Sequence, residues 1–529
     1  MHVTNVSPQN FGGTFIFAGR VAPQLNAGGE MVRGDDGEIV FVPITSIESF
    51  RRTLLFQGQG LPPGAVRVLG GGVTQLSFAA GDPRAEVSQL DLGTFLEDEW
   101  QLGPNLQING GLRYETQNNI SNRLNFAPRV SLAWAPHSNN KGQAATIIRA
   151  GFGIFYDRFS ENLTLLARRF NGTTMQRFIV SDPAALDTIG FDPSGAQILP
   201  PVDLASLSAS QTVTRVAQDL HSPYALQTAV TVERALPHNT VLSVAYLNTR
   251  GLHLLRTRNI NAPIVSVAGV EPEDARPFGP VGNIYLYESS GRSSQHQMIV
   301  NLNQRLNKKI SLYAFYALGS LRSDTDGVDS FPANQYDLST EYGRSNLDVR
   351  HRTVIGGNFT APWNVRLNPF MVASSGRPYN IFIGRDLNGD SVFTERPAFD
   401  FESGNGSSFD PNPLEMQPLI PRNFGIGPSF VSVNLNLNKS FTFGRPPTTL
   451  QSGSGSGRAA AGSDSRQYTL TLSIQSQNIL NRSNLTTPIG NLSSPFFGHS
   501  TATANAFGAV NRNPAAGNRR IIAQVRLSF

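Results

Sequence analysis

The sequence predicts an all-β protein, a transmembrane antiparallel β-barrel with about fourteen strands in this chain. Three observations predict it. Segments about ten residues long alternate apolar and polar residues along most of the chain. The connections between them alternate between short and long, as the periplasmic turns and external loops of outer-membrane barrels do. The last residues follow the same rule: Ile521, Ala523, Val525, Leu527 and Phe529 share one phase, and Ile522, Gln524, Arg526 and Ser528 the other.

Composition supports this class. Hydrophobic residues make up 39% of 529, and mean hydropathy is -0.19. No stretch approaches the roughly 18 consecutive apolar residues of a membrane helix, whereas a membrane barrel needs only alternate residues apolar. Gly 50 and Phe 33 against 15% charged residues suit a β-rich, loop-rich chain. With no cysteine, disulfides, thiol catalysis and Cys-based zinc sites are excluded. A net charge of +5, scattered along the chain, does not suggest nucleic-acid binding. Met1 to Phe11 has no basic region followed by an apolar core, so no secretory signal is read there. For an envelope protein, that predicts a C-terminal piece of something longer.

Strands are expected near 11–19, 89–101, 105–116, 127–136, 145–156, 224–235 and 239–249. Others are expected near 295–306, 309–319, 350–361, 365–375, 430–443, 467–480 and 519–529. Leu106, Ile108, Leu112 and Tyr114 alternate with Gln107, Asn109, Arg113 and Glu115, and Val431 to Asn438 repeats the pattern. The short connections are Leu102–Asn105, Pro136–Gln143, Leu236–Asn239, Leu306–Lys309 and Ala361–Asn364. The long ones lie near 157–223, 250–294, 321–349, 376–429 and 481–518. Residues 1–88 read as the barrel start with a long external loop, in which Ser46–Gln57 suits an amphipathic helix and Val73–Ala80 a further strand. The barrel proper is 89–529, with 444–467, rich in Gly, Ser and Ala, as a flexible insertion.

Trp100, Trp134 and Trp363 all stand beside short connections. With Phe529 they predict a periplasmic aromatic belt. Arg113, Glu115, Arg129 and Arg149 fall in the lumen-facing phase, where the arginines are expected to pair with acids such as Glu115 or Asp157, or to contact a plug. Asp98 shares the phase of Leu92, Leu96 and Trp100, which calls for a bulge or an interfacial position.

Asp386, Asn388 and Asp390, with Glu395 beyond, place oxygen ligands at alternate positions around Gly389, as calcium loops do. The spacing departs from an EF-hand, and an Asx/Gly-rich turn explains the same residues. His351, between Arg350 and Arg352, reads as a charge cluster at a strand start, since no second histidine stands at ligand spacing. No G-x-S-x-G elbow, H-E-x-x-H pair or P-loop occurs, so no catalytic residue and no organic cofactor is assigned.

An ordered set of segments resembles the C-terminal barrel of Oar-like TonB-dependent receptors. Phe95-Leu-Glu-Asp-Glu-Trp100 and Pro104-Asn-Leu-Gln-Ile-Asn-Gly-Gly-Leu-Arg-Tyr-Glu115 carry a strand–turn–strand signature. Phe126-Ala-Pro-Arg129, Arg149-Ala-Gly-Phe-Gly-Ile-Phe-Tyr-Asp157 and Ala245-Tyr246 with Arg250-Gly-Leu-His-Leu254 follow. Asn259-Ile-Asn-Ala-Pro263, Asp348-Val-Arg-His-Arg352, Ser375-Gly-Arg-Pro378 and Gln477-Asn-Ile-Leu-Asn481 complete it. The resemblance implies a barrel of about twenty-two strands. It also implies a plug domain inside that barrel and coupling to TonB through the plug. Neither plug nor TonB box is recognisable in this chain, so the expectation is a truncated barrel portion whose partners are outer-membrane lipid, an external ligand and, through the plug, TonB. A structural or adhesive surface protein without transport is the alternative. A soluble β-solenoid or propeller is disfavoured by irregular strand spacing and the lack of a fixed repeat.

Overall fold

A computed structural model describes residues 2–528 except 8–9, 139–143, 190, 192–209, 265–274, 401–407, 415–416, 445–466 and 505–516. Phe529 and nearly all of the expected insertion 444–467 lie outside the described residues.

Among the described residues the period-two segments become thirteen long strands in one antiparallel meander. The first four are β1 (Asp91–Gly103), β2 (Leu106–Gln117), β3 (Asn125–Ser138) and β4 (Ala144–Tyr156). After a long connection come β5 (Tyr224–Leu236), β6 (Thr240–Asn259), β7 (Ile284–Arg305) and β8 (Ile310–Ser323). The rest are β9 (His351–Thr360), β10 (Val365–Ser374), β11 (Phe430–Gly444), β12 (Gln467–Gln477) and β13 (Arg520–Ser528). Each pairs antiparallel with its neighbour.

Tight turns at one rim fix the register. His238 and Asn239 have φ of 61° and 52°, and Trp363 and Asn364 have 58° and 55°. Two successive positive φ values match the right-handed twist of a hairpin, and asparagine tolerates them better than most residues.

Register carries the apolar phase across the sheet. Trp100, Ile108, Leu132, Ala150, Val230, Tyr246 and Met298 form one continuous row. Leu437, Ile474 and Ala523 continue the same face on the last three strands. Along β5 the even positions from Thr228 to Arg234 are exposed and the odd ones between them partly covered. Val230 and Val232 are each 43% exposed. An aliphatic row this open in water is the surface that lipid covers.

One buried hydrophobic cluster, Val372 with Phe430 and Ala504, sits on the wall strands; the largest lies outside the wall, at the rim of the long connections. Leu76 and Phe78 pack there with Phe178, Val180 and Leu186. β6 and β7, 20 and 22 residues long, rise into this rim. There the beginning of β7 pairs in parallel with Ser210–Val216. That strand continues through Met175–Val180 and Gln75–Gly81 to Thr14–Ile16. The expected helix is present as α1 (Ser46–Gly58); Thr45 Oγ1 accepts from the Glu48 N–H at 3.1 Å.

Three expectations change. Segment 11–19 supplies no wall strand: only Thr14–Ile16 is extended, and it pairs with the rim strand Gln75–Gly81. Its run is too short to cross a membrane, which needs about 9–11 residues. Asp98 needs no bulge, since the register is regular from Asp91 to Gln101 and shifts only between Gln101 and Gly103. It sits two residues from Trp100, in the interfacial zone. Finally, the pairing runs strand by strand from β1 to β13, and no pairing joins these two among the described residues. Every residue of β13, and all of β1 but Gly103, is exposed. Both strands also run from the long-connection rim to the short one, so direct pairing of the two would be parallel.

Candidate functional site

The face opposite the apolar row collects the polar phase. Arg113, Glu115, Arg129 and Arg149 all lie on it, as their register with Phe95, Gly93, Gly111 and Ala133 requires. Arg113 Nε donates to Glu115 Oε1. Arg149 pairs with Glu233 at 3.2 Å. Arg129 lies over the Phe155 ring, 4.6 Å from its centroid. Glu115 is thus a partner as expected, whereas Asp157 makes no salt bridge with these arginines among the described residues. Around them is a cavity of about 450 Å³, lined by Glu97, Asn109, Arg113, Arg129 and Gln227. Gly151 and Gly153 keep it open; a Cβ on Gly153 would meet the Phe155 ring at 2.9 Å.

At the short-turn rim Trp100 and Trp134 are 49% and 45% exposed and point with the apolar face. Trp363 occupies the turn itself, 85% exposed.

The long-connection rim is built differently. Largely buried ion pairs brace it: Arg256 of β6 to Asp324 at 2.7 Å, Arg258 of β6 to Glu288 of β7 at 2.7 Å, and, between connections, Arg396 to Glu341 at 3.0 Å and Arg422 to Asp326 at 2.5 Å. His351 opens β9 with Nδ1 2.9 Å from Tyr316 Oη, a structural contact.

Within this rim the connection after β10 folds Asp386, Asp390 and Glu395 together, with one carboxylate oxygen of each within 4.8 Å of the others. The local sequence explains the turn. Asp386 accepts the N–H groups of Gly389 and Asp390 on Oδ1, at 2.8 and 3.2 Å, and that of Ser391 on Oδ2 at 2.8 Å. Gly389 and Ser391 take positive φ of 71° and 64°. Asn388 Oδ1 accepts from Asp390 N at 3.0 Å and its Nδ2 donates to Asp390 Oδ2 at 3.2 Å, so Asn388 shapes the turn from beside the three carboxylates. Sequence reading missed Gln335, which is buried and donates from Nε2 to Asp390 Oδ2 at 2.8 Å. It also missed Asn259 at the top of β6, whose Nδ2 donates to Asp390 O at 3.1 Å, and Arg276, whose Nη2 reaches Gly389 O at 3.2 Å. All three come from other connections or strand ends, and no local spacing signals them.

Burial holds these carboxyls toward their neutral forms. Asp390 is pushed up to about 6, chiefly by burial and then by the charge of Asp386. Glu395 is pushed up to about 8 by burial, and Asp386 is raised for the same reason. No salt bridge neutralises any of the three among the described residues.

The family described as "Outer membrane beta barrel domain" matches residues 120–453. The chain belongs to this family. The barrel is therefore an outer-membrane protein, and its exposed apolar face is its lipid face. Among curated proteins none matches the chain. Among solved structures, the outer membrane transporter YddB from Escherichia coli is similar at 13% identity and TM-score 0.47, covering 86% of this chain and 47% of that one. A single-site mutant of the ferric enterobactin receptor (PfeA) from Pseudomonas aeruginosa is similar at 9% identity and TM-score 0.42, covering 96% and 57%. The FrpB iron transporter from Neisseria meningitidis is similar at 10% and 0.40, covering 87% and 49%. This outer-membrane chain spans about half the length of those structures, 47%, 57% and 49% of them.

Proposed function

We propose that this barrel is the wall and external rim of an Oar-like TonB-dependent receptor, a non-enzymatic transporter. In this reading the short-turn rim faces the periplasm, with Trp100, Trp134 and Trp363 as its aromatic belt. The long connections face outward, residues 1–88 form part of that outer rim, and 157–223, 250–294 and 376–429 select an external ligand. A plug supplied outside the residues described would fill the polar interior and couple to TonB.

The observation that carries the reading is the pair of open edges on a sheet with a continuous lipid face. β1 and β13 are exposed along nearly their whole length, and they run parallel to each other. In lipid each unsatisfied backbone group costs several kcal/mol. An all-antiparallel closure needs an odd number of further strands between them. Nine more would give the roughly twenty-two that the family resemblance implies, an even number as single-chain bacterial barrels have.

The test is uptake and surface binding in cells making the full receptor, with and without TonB. Binding that survives loss of TonB together with uptake that does not is the expected result. A phenotype of cell–surface attachment unchanged without TonB, and no TonB-dependent uptake, would instead favour an adhesive surface protein.

A further inference from the structure

The rim holds one buried cluster of three carboxyls that forms no ion pair among the described residues; the nearest cation, Arg276, spends its Nη2 on Gly389 O at 3.2 Å. Asp390 is 1% exposed and Glu395 8%. Glu395 Oε1 accepts from the Leu387 N–H at 2.9 Å, but its Oε2 is buried with no hydrogen-bond partner among the described residues. An unpartnered carboxylate oxygen out of water is costly unless something cationic meets it.

The geometry points to a divalent cation of calcium's size bound by Asp386, Asp390 and Glu395. An ion about 2.3–2.6 Å from each ligand oxygen sets those oxygens at most roughly 5 Å apart, and the three groups meet that limit at 4.8 Å. Magnesium, at about 2.0–2.1 Å, needs a tighter set. Calcium takes about six to eight oxygens. A cavity of about 190 Å³ opens on the Glu395 side of the cluster, lined also by Asn388, Gln335, Tyr336 and Arg396, the last paired with Glu341, and leaves room there for waters of the shell. The burial that holds these carboxyls toward protonation is what a bound cation offsets.

The consequence is mechanical. Gln335 and Asn259 hold the Asp390 turn from the β8–β9 connection and the top of β6. A cation there stiffens the turn to which these two hydrogen bonds anchor the 375–429 connection. The binding is independent of whether the receptor imports anything.

The test uses the full chain in detergent micelles, stripped with a chelator. Calcium is titrated calorimetrically, with magnesium as the comparison. Terbium luminescence sensitised by Tyr336, which lines the same cavity as Glu395 and Asn388, gives a second readout on the unaltered protein. One calcium per chain is expected, with a dissociation constant on the order of 10⁻⁴–10⁻³ M or tighter and weaker magnesium. Glu395→Gln and Asp386→Asn should each weaken binding about tenfold or more, because fewer ligand charges lower affinity. Asp410→Asn, on the same connection but outside the cluster, should leave it unchanged. Heat-modifiable migration of each variant reports separately that the barrel is folded. Absence of calcium and terbium binding to the unaltered protein would overturn the proposal, as would unchanged affinity in both cluster variants.

Discussion

Replacing Val230 by arginine tests the assignment of the two faces most directly. Val230 is the middle residue of β5, six positions from Tyr224 and six from Leu236. At about 3.3 Å per residue and a tilt near 45°, six residues rise about 14 Å. Half of a hydrocarbon core about 30 Å thick is about 15 Å, so Val230 lies near the midplane. It is 43% exposed, on the row with Ala150 and Tyr246. An arginine at the midplane of a barrel's lipid face costs about 2–4 kcal/mol. At about 1.4 kcal/mol per factor of ten, that is roughly 30- to 700-fold in the folding equilibrium. The matched control is Gln227→Arg, three residues earlier on the opposite face, in the cavity that Glu97 and Asn109 also line. There the charge stays hydrated, and the change should be within about 0.5 kcal/mol. Guanidinium titrations in lipid vesicles, followed by tryptophan fluorescence, measure both. Equal costs, or a greater cost for Gln227→Arg, would refute the assignment of lipid and lumen faces.

The aromatic belt predicts that Trp100, Trp134 and Trp363 fluorescence is quenched by lipids brominated near the headgroup far more than by lipids brominated near the chain ends; the reverse order would place the short turns wrongly. Arg256→Ala leaves Asp324 without its 2.7 Å partner. Asp324 keeps Arg292, whose Nε lies 3.6 Å away and whose backbone N–H donates to it at 2.8 Å, so the cost falls below the about 3–5 kcal/mol of a wholly orphaned buried charge; limited proteolysis should still cut near Asp324 faster while heat-modifiable migration persists. Arg149→Ala breaks a half-exposed pair with Glu233 and should cost no more than about 1 kcal/mol in the same unfolding titration. Glu48 is held down to about 2 by its hydrogen bond from Arg51 and then by Arg52. Its stabilising contribution is therefore complete above the unfolded value near 4.5 and is lost as pH falls through about 2. Screening keeps it under about 1 kcal/mol. Amide exchange in α1 should rise across that window in the unaltered protein, and Glu48→Gln should flatten the dependence.

What was legible in the sequence is what one physical rule dictates locally. Within the wall, a strand has lipid on one side and polar interior on the other, so period-two alternation marks β2 at Leu106–Gln117 and β5 at Tyr224–Leu236 to within a residue or two of expectation. The rule fails where the strand leaves the membrane. β6 was expected to end near 249 but runs to Asn259. Beyond Arg250 both its faces are covered by connections: Arg256, Thr257 and Asn259 are all buried. His253 takes a φ of 54°, and the register shifts between Gly251 and Leu254 and again by Arg256. With neither face in lipid or open lumen, nothing enforces alternation. The carboxylate cluster divides the same way. Asp386, Asn388 and Asp390 were readable because turn chemistry is local, whereas Gln335 and Asn259 reach the site across 55 and 131 positions.

The same division explains why the number of strands was the hardest quantity to read. Alternation detects a strand but not its neighbour, so segment 11–19 counted as a wall strand although its only extended residues pair within the rim. Removing it changes the parity from even to odd. Parity matters more than the count. With thirteen strands, the two edges point the same way along the barrel, and the hairpin-by-hairpin alternation that builds every other contact of this wall does not close it. Leu96 on β1 and Val525 on β13, on the apolar face, are 78% and 69% exposed, more than the 43% of Val230 in mid-wall, as befits strands with a neighbour on one side only among the described residues. In the proposed reading, antiparallel neighbours on both sides would complete such a lipid-facing sheet and enclose a wider lumen than these strands alone.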